Sequence, residues 1–280
     1  MIAELLSTLH SDIAMGMAQA AGAIVLCAAV VLLCRRFAVH VERETAISLG
    51  RGLVQMVFVG MVLAVLHGNL LVGVLILLAM TFAAAVTAAR RAHDIKGSLL
   101  LSFYAISAGS GVVIAGMLAT GTLTADIAVL VPVGSMIIAN AMKTCAQSGE
   151  RFRANVTAHV GQIEAGLALG ADPAVTVAPY VQSAVYASLL ARLGMLKSLG
   201  LVWIPGVMAG MMVSGASPVY AGIYQFIIVA MILAASGIAG LIVTLLMRVR
   251  AFSAATQLTL RAGERHQQLA YQLANTMMKS

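Results

Sequence analysis

Long apolar runs alternate with short polar clusters along the whole chain. Runs of about 17–25 apolar residues match a helix crossing a bilayer. They fall at roughly 13–34, 52–68, 70–89, 98–120, 124–142, 198–216 and 219–247. The pattern predicts an all-α, polytopic membrane bundle of about seven transmembrane helices. The longest gap, 143–197, carries Lys143, Glu150, Arg151, Arg153 and Glu164 and is expected to lie outside the lipid, as a cytoplasmic segment. The transmembrane domain is therefore expected over 1–247, followed by a cytoplasmic helix or tail over 248–280. In that tail Leu269, Leu273 and Met277 recur every four residues as one apolar stripe. No internal repeat is evident.

Basic residues orient the spans, because cytoplasmic loops carry the excess of Lys and Arg. With the N-terminus outside and the C-terminus in the cytoplasm, all 17 Lys and Arg fall on the inside, and the outer segments 67–69, 121–124 and 217–218 hold none. The stretch 175–190 is apolar enough to tempt an eighth span. Accepting it would send Arg192, Lys197, Arg248, Arg250, Arg261, Arg265 and Lys279 outside. Pro179 also falls in its first turns, tolerated at a helix start but kinking an interior. This stretch is expected to be at most interfacial or half-inserted.

Composition agrees with the bilayer as solvent. The chain is 61% hydrophobic and 10% charged, where about half and a quarter are usual for soluble domains. Its net charge of +7 is scattered between apolar runs, and aromatics are 5%, so nucleic acid is not an expected partner. Cys27, Cys34 and Cys145 form neither a metal spacing nor a disulfide framework. No basic residue precedes the first apolar run, which argues against a cleaved leader, and Arg35 and Arg36 follow it.

Within the 143–197 segment stands Gln162-Ile-Glu-Ala-Gly-Leu-Ala-Leu-Gly-Ala-Asp-Pro173. Ala165, Gly166 and Ala168 are small enough to let a partner approach, and Glu164 offers a charge that fixes register. Gly170 can end a helix in the left-handed conformation. Asp172 and Pro173 read as the cap and first position of the next helix. An ordinary solvated Ala-rich helix is the other reading of this stretch. The motif resembles the EAA signature of ABC-transporter permeases, in which a short cytoplasmic coupling helix docks in a groove of the ATPase subunit.

The resemblance extends further. Val131-Pro-Val-Gly-Ser-Met-Ile-Ile-Ala-Asn-Ala-Met142, the glutamate motif, Ile204-Pro-Gly-Val-Met-Ala-Gly210, Ser217-Pro218 and Tyr224-Gln225 follow in the order seen in FetB-type permeases. These are membrane subunits of iron-export ABC transporters, and plant aluminium-tolerance half-transporters are related. The resemblance covers most of the chain and is strongest over 130–247. It implies a permease homodimer in the plasma (inner) membrane with two copies of a separate ABC ATPase, which would carry ATP and Mg. The chain has no phosphate loop of its own and no residue set for chemistry on a substrate, so it is expected not to be an enzyme. Relatives usually have Gly at Ala139, Gln at Met211 and Asp at Ser217, which weakens the transfer of substrate. The EAA motif is commonest in importers whereas the bacterial relatives are exporters, so direction stays open.

Pro205 and Gly206 are expected to kink or break the sixth span as a hinge. Gly206, Gly210 and Ser214 have small-xxx-small spacing, which suits close helix packing either inside a subunit or at a dimer seam. No ionised residue is confidently buried in a span, and Asp126 sits at an outer edge, which argues against the alternative of a secondary transporter or channel without an ATPase. A membrane scaffold is a third reading. Neutral candidates for a substrate pathway are Tyr104, Ser107, Ser135, Asn140, Met208 and Gln225. Tyr104, Ser107 and Gly111 share one face of the fourth span by their i, i+3, i+7 spacing. A central cavity lined by Tyr104, Ser107 and Ser135, with Met208 facing it, is expected. Met136, Met208, Met211 and Met212 could offer thioethers to a soft cation, but flexible packing is the favoured role.

Overall fold

The computed structural model describes residues 2–37, 40–65, 70–91, 97–253 and 257–259. The apolar stripe expected at Leu269, Leu273 and Met277 lies outside them. Among the described residues the chain forms α1 (Ile2–Arg36), α2 (Glu42–Val65), α3 (Leu70–Arg91), α4 (Ser98–Ala119), α5 (Ile127–Ala158), α6 (Val160–Ala168), α7 (Pro173–Ser198), α8 (Gly206–Val213) and α9 (Pro218–Arg250). The all-α membrane bundle expected from the sequence is what forms.

Seven helices are long and apolar enough to cross a membrane: Met15–Arg36 of α1, Glu42–Val62 of α2, and α3, α4, α5, α7 and α9. The expected number is found, but one member differs. The sixth is Pro173–Ser198, which contains the set-aside stretch 175–190, and the expected helix over 198–216 does not form. After Ser198 the chain turns through Leu199 (ψ 126°) and Gly200 (φ 79°), and Pro205 is extended with ψ 153°. Proline disfavours the helical conformation for the residue before it, and here Gly200 has already turned the chain away from the axis of α7. Only Gly206–Val213 is helical, about 12 Å at 1.5 Å per residue, far short of a bilayer core of about 30 Å. By contrast α5, with 32 residues, runs about 48 Å and outreaches that core.

The chain divides into two units, residues 1–67 and 68–280. In the first, α1 and α2 pair as a hairpin whose connection is tied by Arg35 Nε and Glu42 Oε1 at 3.7 Å. In the second, α9 packs on α4, α5, α7 and α8, while α3 packs on α4 and α5. Missing side chains make this packing close. A Cβ added at Gly109 of α4 would sit 2.6 Å from the Ala235 carbonyl oxygen of α9, and one at Gly134 of α5 would sit 2.9 Å from Leu77 of α3. Such small-residue contacts let backbones approach where lipid removes the hydrophobic drive between helices. Val25, Leu26, Phe58, Leu75 and Val112 remain exposed, as lipid-facing side chains would.

Buried hydroxyls register α5 and α7. Ser148 and Ser188 are hydrogen-bonded at 2.6 Å, and the guanidinium Nε of buried Arg192 donates to Thr144 Oγ1 at 3.4 Å. As residue numbers rise on α7 they fall on α5, so the two helices run antiparallel. Gly240 of α9 closes the cluster, since a Cβ there would lie 2.9 Å from Ser148 Oγ.

Candidate functional site

The α5–α6–α7 corner is built with unusual local detail. His159 ends α5 and begins α6; its ring stacks on Tyr180 of α7 at 5.0 Å, and Tyr180 donates to Gln162 Oε1 at 3.2 Å. Ile163 is fully buried and anchors α6. At the other end Gly170 has φ 84°; its amide reaches Leu167 O at 3.0 Å, and the Ala171 amide reaches Gly166 O at 3.0 Å. This pair of bonds is the Schellman arrangement that a left-handed glycine permits. Asp172 then caps α7 by accepting from the Ala174 amide at 2.6 Å, with Pro173 in the first helical position.

The motif residues divide over two faces of this corner. Glu164, Ala165 and Ala168 are exposed, and Leu169 stands at the tip with 89% of its surface free. Gly166 is turned inward instead: a Cβ there would lie 2.5 Å from Thr176 Cγ2 of α7. Its smallness serves the fold of the corner, in place of the partner approach expected for it. The corner thus presents a short helix bearing one carboxylate, two alanines and a protruding leucine, a shape suited to a shallow groove.

Pro205 and Gly206 lie where α8 begins. Proline at the cap position offers no side-chain acceptor to the first amides of α8, and Gln225 of α9 supplies one: its Oε1 accepts from the Met208 amide at 3.3 Å. Gln225 is itself 1% exposed. Met208 also approaches Gly222, 3.8 Å from where a Cβ would stand. Ser217 caps α9 by accepting from the Tyr220 amide at 3.4 Å. Serine and aspartate are near equivalents at such a cap, so the Ser217 departure keeps its structural role.

The expected central cavity is not assembled within the subunit. A cavity of about 280 Å³ does lie between α3, α4 and α5, and Ser107, Ser110, Gly111 and Thr81 line it, but Tyr104, Ser135 and Met208 do not. Tyr104 is 62% exposed. Ser135 donates to Pro132 O at 2.8 Å, and Asn140 to Met136 O at 2.7 Å, both within α5. Helical spacing put Tyr104, Ser107 and Gly111 on one face, but the buried residues of α4 (Leu101, Ser102, Ala105, Ile106, Gly109, Ser110 and Val113) occupy the opposite one. In the cavity wall Ser110 and Thr81 donate back to their own helices, at 2.7 and 2.8 Å. The buried Ser107 Oγ has no hydrogen-bond partner, which leaves one free hydroxyl in an otherwise apolar chamber. Among the described residues no three His, Cys, Asp or Glu converge as metal ligands.

Compared with known families, residues 17–252 match the uncharacterised protein family UPF0014. The chain belongs to that family. It is similar to the probable iron export permease protein FetB of Escherichia coli, 28% identical over 222 residues, 79% of this chain and 86% of the relative. The protein ALUMINUM SENSITIVE 3 of Arabidopsis thaliana is 28% identical over 245 residues, 87% of this chain and 90% of the relative. The membrane protein STAR2 of Oryza sativa is 28% identical over 219 residues, 78% of this chain and 77% of the relative. No solved structure matches. The chain is thus an all-helical membrane protein of a family that includes a permease.

Three features escaped the sequence reading. The His159–Tyr180 stack joins residues 21 apart across the corner, and only the helix–turn–helix geometry brings them together. Leu169 was given no role, although its place just before Gly170 marks it as the last residue before the turn. Arg192 was read as a topology signal alone. A cation at the end of an apolar stretch carried a further signal, because a buried charge needs polar company, and Thr144 supplies it.

Proposed function

We propose that this chain is the permease subunit of an ABC transporter, working as a homodimer above two copies of a separate ATPase. The observation that carries the reading is the α6 corner: a nine-residue helix held by a buried anchor, an aromatic stack and a Schellman turn, offering Glu164 and Leu169 outward. A helix held that firmly can transmit a push from a soluble engine to α5 and α7. The family membership and the name of the Escherichia coli relative support transport, and suggest iron as the substrate to test first. In this reading ATP and Mg reside on the ATPase, the chain sits in the plasma (inner) membrane, and it catalyses no chemistry itself.

Helix register gives this a geometry. Thr144 is 17 residues beyond Ile127, about 26 Å along α5, and Arg192 lies beside it. With the start of α5 at the outer surface, Arg192 sits near the inner edge of the hydrocarbon. Ser198 is then six residues, about 9 Å, further up, and α7 ends inside the bilayer. Although α7 is long and apolar enough to cross by itself, in this orientation its top and α8 together make the sixth crossing, interrupted over 199–205 at mid-depth. The lower parts of α5 and α7, with α6, project into the cytoplasm, as does the chain after α9. Irregular backbone at membrane depth is tolerated where it is covered by protein or lines a cavity, so the break is the part of the pathway free to move when α7 is pushed.

The test is association. Glu164→Lys reverses the charge outside the lipid and should leave membrane insertion unchanged, while reducing copurification of the ATPase and transport together. Copurification at wild-type level would reduce Glu164 to a surface charge. Cysteines at Thr122 and Ser217 should react with an impermeant reagent from outside and one at the exposed Glu150 should not; labelling at Glu150 in intact cells would overturn the orientation.

A further inference from the structure

Between the C-terminal end of α3 and the middle of α5 lies a cavity of about 220 Å³ lined by Arg91, Lys143, Gln147, Thr87, Ala88 and Ala146 among others. Two cations converge on it. Among the described residues neither is paired with a carboxylate. The Gln147 amide adds a neutral donor. The Thr87 hydroxyl is committed as donor to Ala83 O at 2.9 Å, so it can only accept. Ala88 and Ala146 are buried and leave room at the floor. This donor set fits a tetrahedral anion: a guanidinium that can bind two oxygens, an ammonium point charge and an amide. The end of α3 brings roughly half a negative charge to the same place, which two full positive charges outweigh.

Depth decides which anion. Lys143 precedes Thr144, which contacts Arg192, so Arg91, Lys143 and Arg192 lie near one level of the bundle. Arg91 is 21 residues past Leu70, about 32 Å along α3, which is one hydrocarbon thickness from its outer end. Lipid phosphates stand at that level, and basic pockets between helices there take anionic headgroups. We propose that this cavity binds the phosphate of an anionic phospholipid of the inner leaflet, with Arg91 and Lys143 as its ligands. The assignment to the inner leaflet rests on the orientation given above; the phosphate chemistry does not.

The full-length permease, purified alone so that failure of the ATPase reading cannot affect the result, is placed in nanodiscs of phosphatidylcholine with or without phosphatidylglycerol. Melting temperature and retained lipid, read by native mass spectrometry, are then measured. Phosphatidylglycerol should raise the melting temperature and survive detergent exchange, while phosphatidylcholine should do neither. Arg91→Gln with Lys143→Gln should lower its retention on the order of tenfold with unchanged circular dichroism. Lys143→Gln alone, at an exposed side chain, gives a smaller loss in the same direction and covers the case in which the double variant folds poorly. Equal retention of the two lipids by the wild type, or wild-type retention by the variants, would overturn the proposal. Stabilisation by millimolar inorganic phosphate without any by phosphatidylglycerol would also overturn it, and would assign the cavity to soluble phosphate.

Discussion

The helix core formed by α4, α5 and α9 and the short helix α8 both carry small residues, but they are used differently. Gly109, Gly134 and Gly240 each face an atom of a neighbouring helix closer than 3.0 Å to where a Cβ would stand. Gly206 and Gly210 have nothing within 4 Å, and Ser214 is exposed. In the core the small residues build the subunit. On α8 they are left over once the subunit is folded, and of the two roles open to the Gly206–Gly210–Ser214 stripe this favours the seam between copies.

Gly109→Val should break the core most severely. The added carbons meet the Ala235 carbonyl, which belongs to a helix backbone and cannot step aside, so a loss of about 3 kcal/mol is expected, read as a large drop in melting temperature or in folded yield. Gly206→Leu combined with Gly210→Leu should leave the melting temperature of the protomer unchanged and abolish the dimer by native mass spectrometry. A fall like that of Gly109→Val would show that the Gly206–Gly210 face of α8 is packed within the subunit after all.

Smaller changes sharpen the contrast. Gln225→Leu removes the acceptor for the Met208 amide and should cost about 1 kcal/mol, with faster amide exchange confined to the start of α8. Ser107→Ala should change stability least, by less than about 0.5 kcal/mol, because its hydroxyl has no partner to lose. Loss of substrate-stimulated ATPase activity at unchanged melting temperature would place Ser107 in the pathway, whereas parallel loss of both would return it to packing.

The sequence was most informative where one residue type had one physical use. Apolar runs ending in Arg35–Arg36 or Arg90–Arg91 gave α1 and α3, and Gly170, Asp172 and Pro173 gave the turn and the cap because few other residues fit there. Over 198–216 Pro205 and Gly206 marked a break, but its extent did not show. The run Leu199 to Ile204 is almost wholly apolar, and hydropathy cannot tell an apolar helix from an apolar turn. The cavity was misassembled for a different reason. Spacing tells which residues of α4 share a face, but the direction of that face is fixed by α3, α5 and α9, and these turn Tyr104 outward. Gly166 shows the same limit: its size was legible, its neighbour Thr176 was not.

If the α6 corner receives an ATPase, the protruding Leu169 must meet that partner. A photo-crosslinking residue in place of Leu169, introduced into the full-length chain in its native membrane, tests it most directly. A crosslink to an ABC ATPase subunit is expected at this position, absent when the probe replaces Val112 on the exposed face of α4. Capture of no ATP-binding subunit at Leu169, with transport intact, would contradict it.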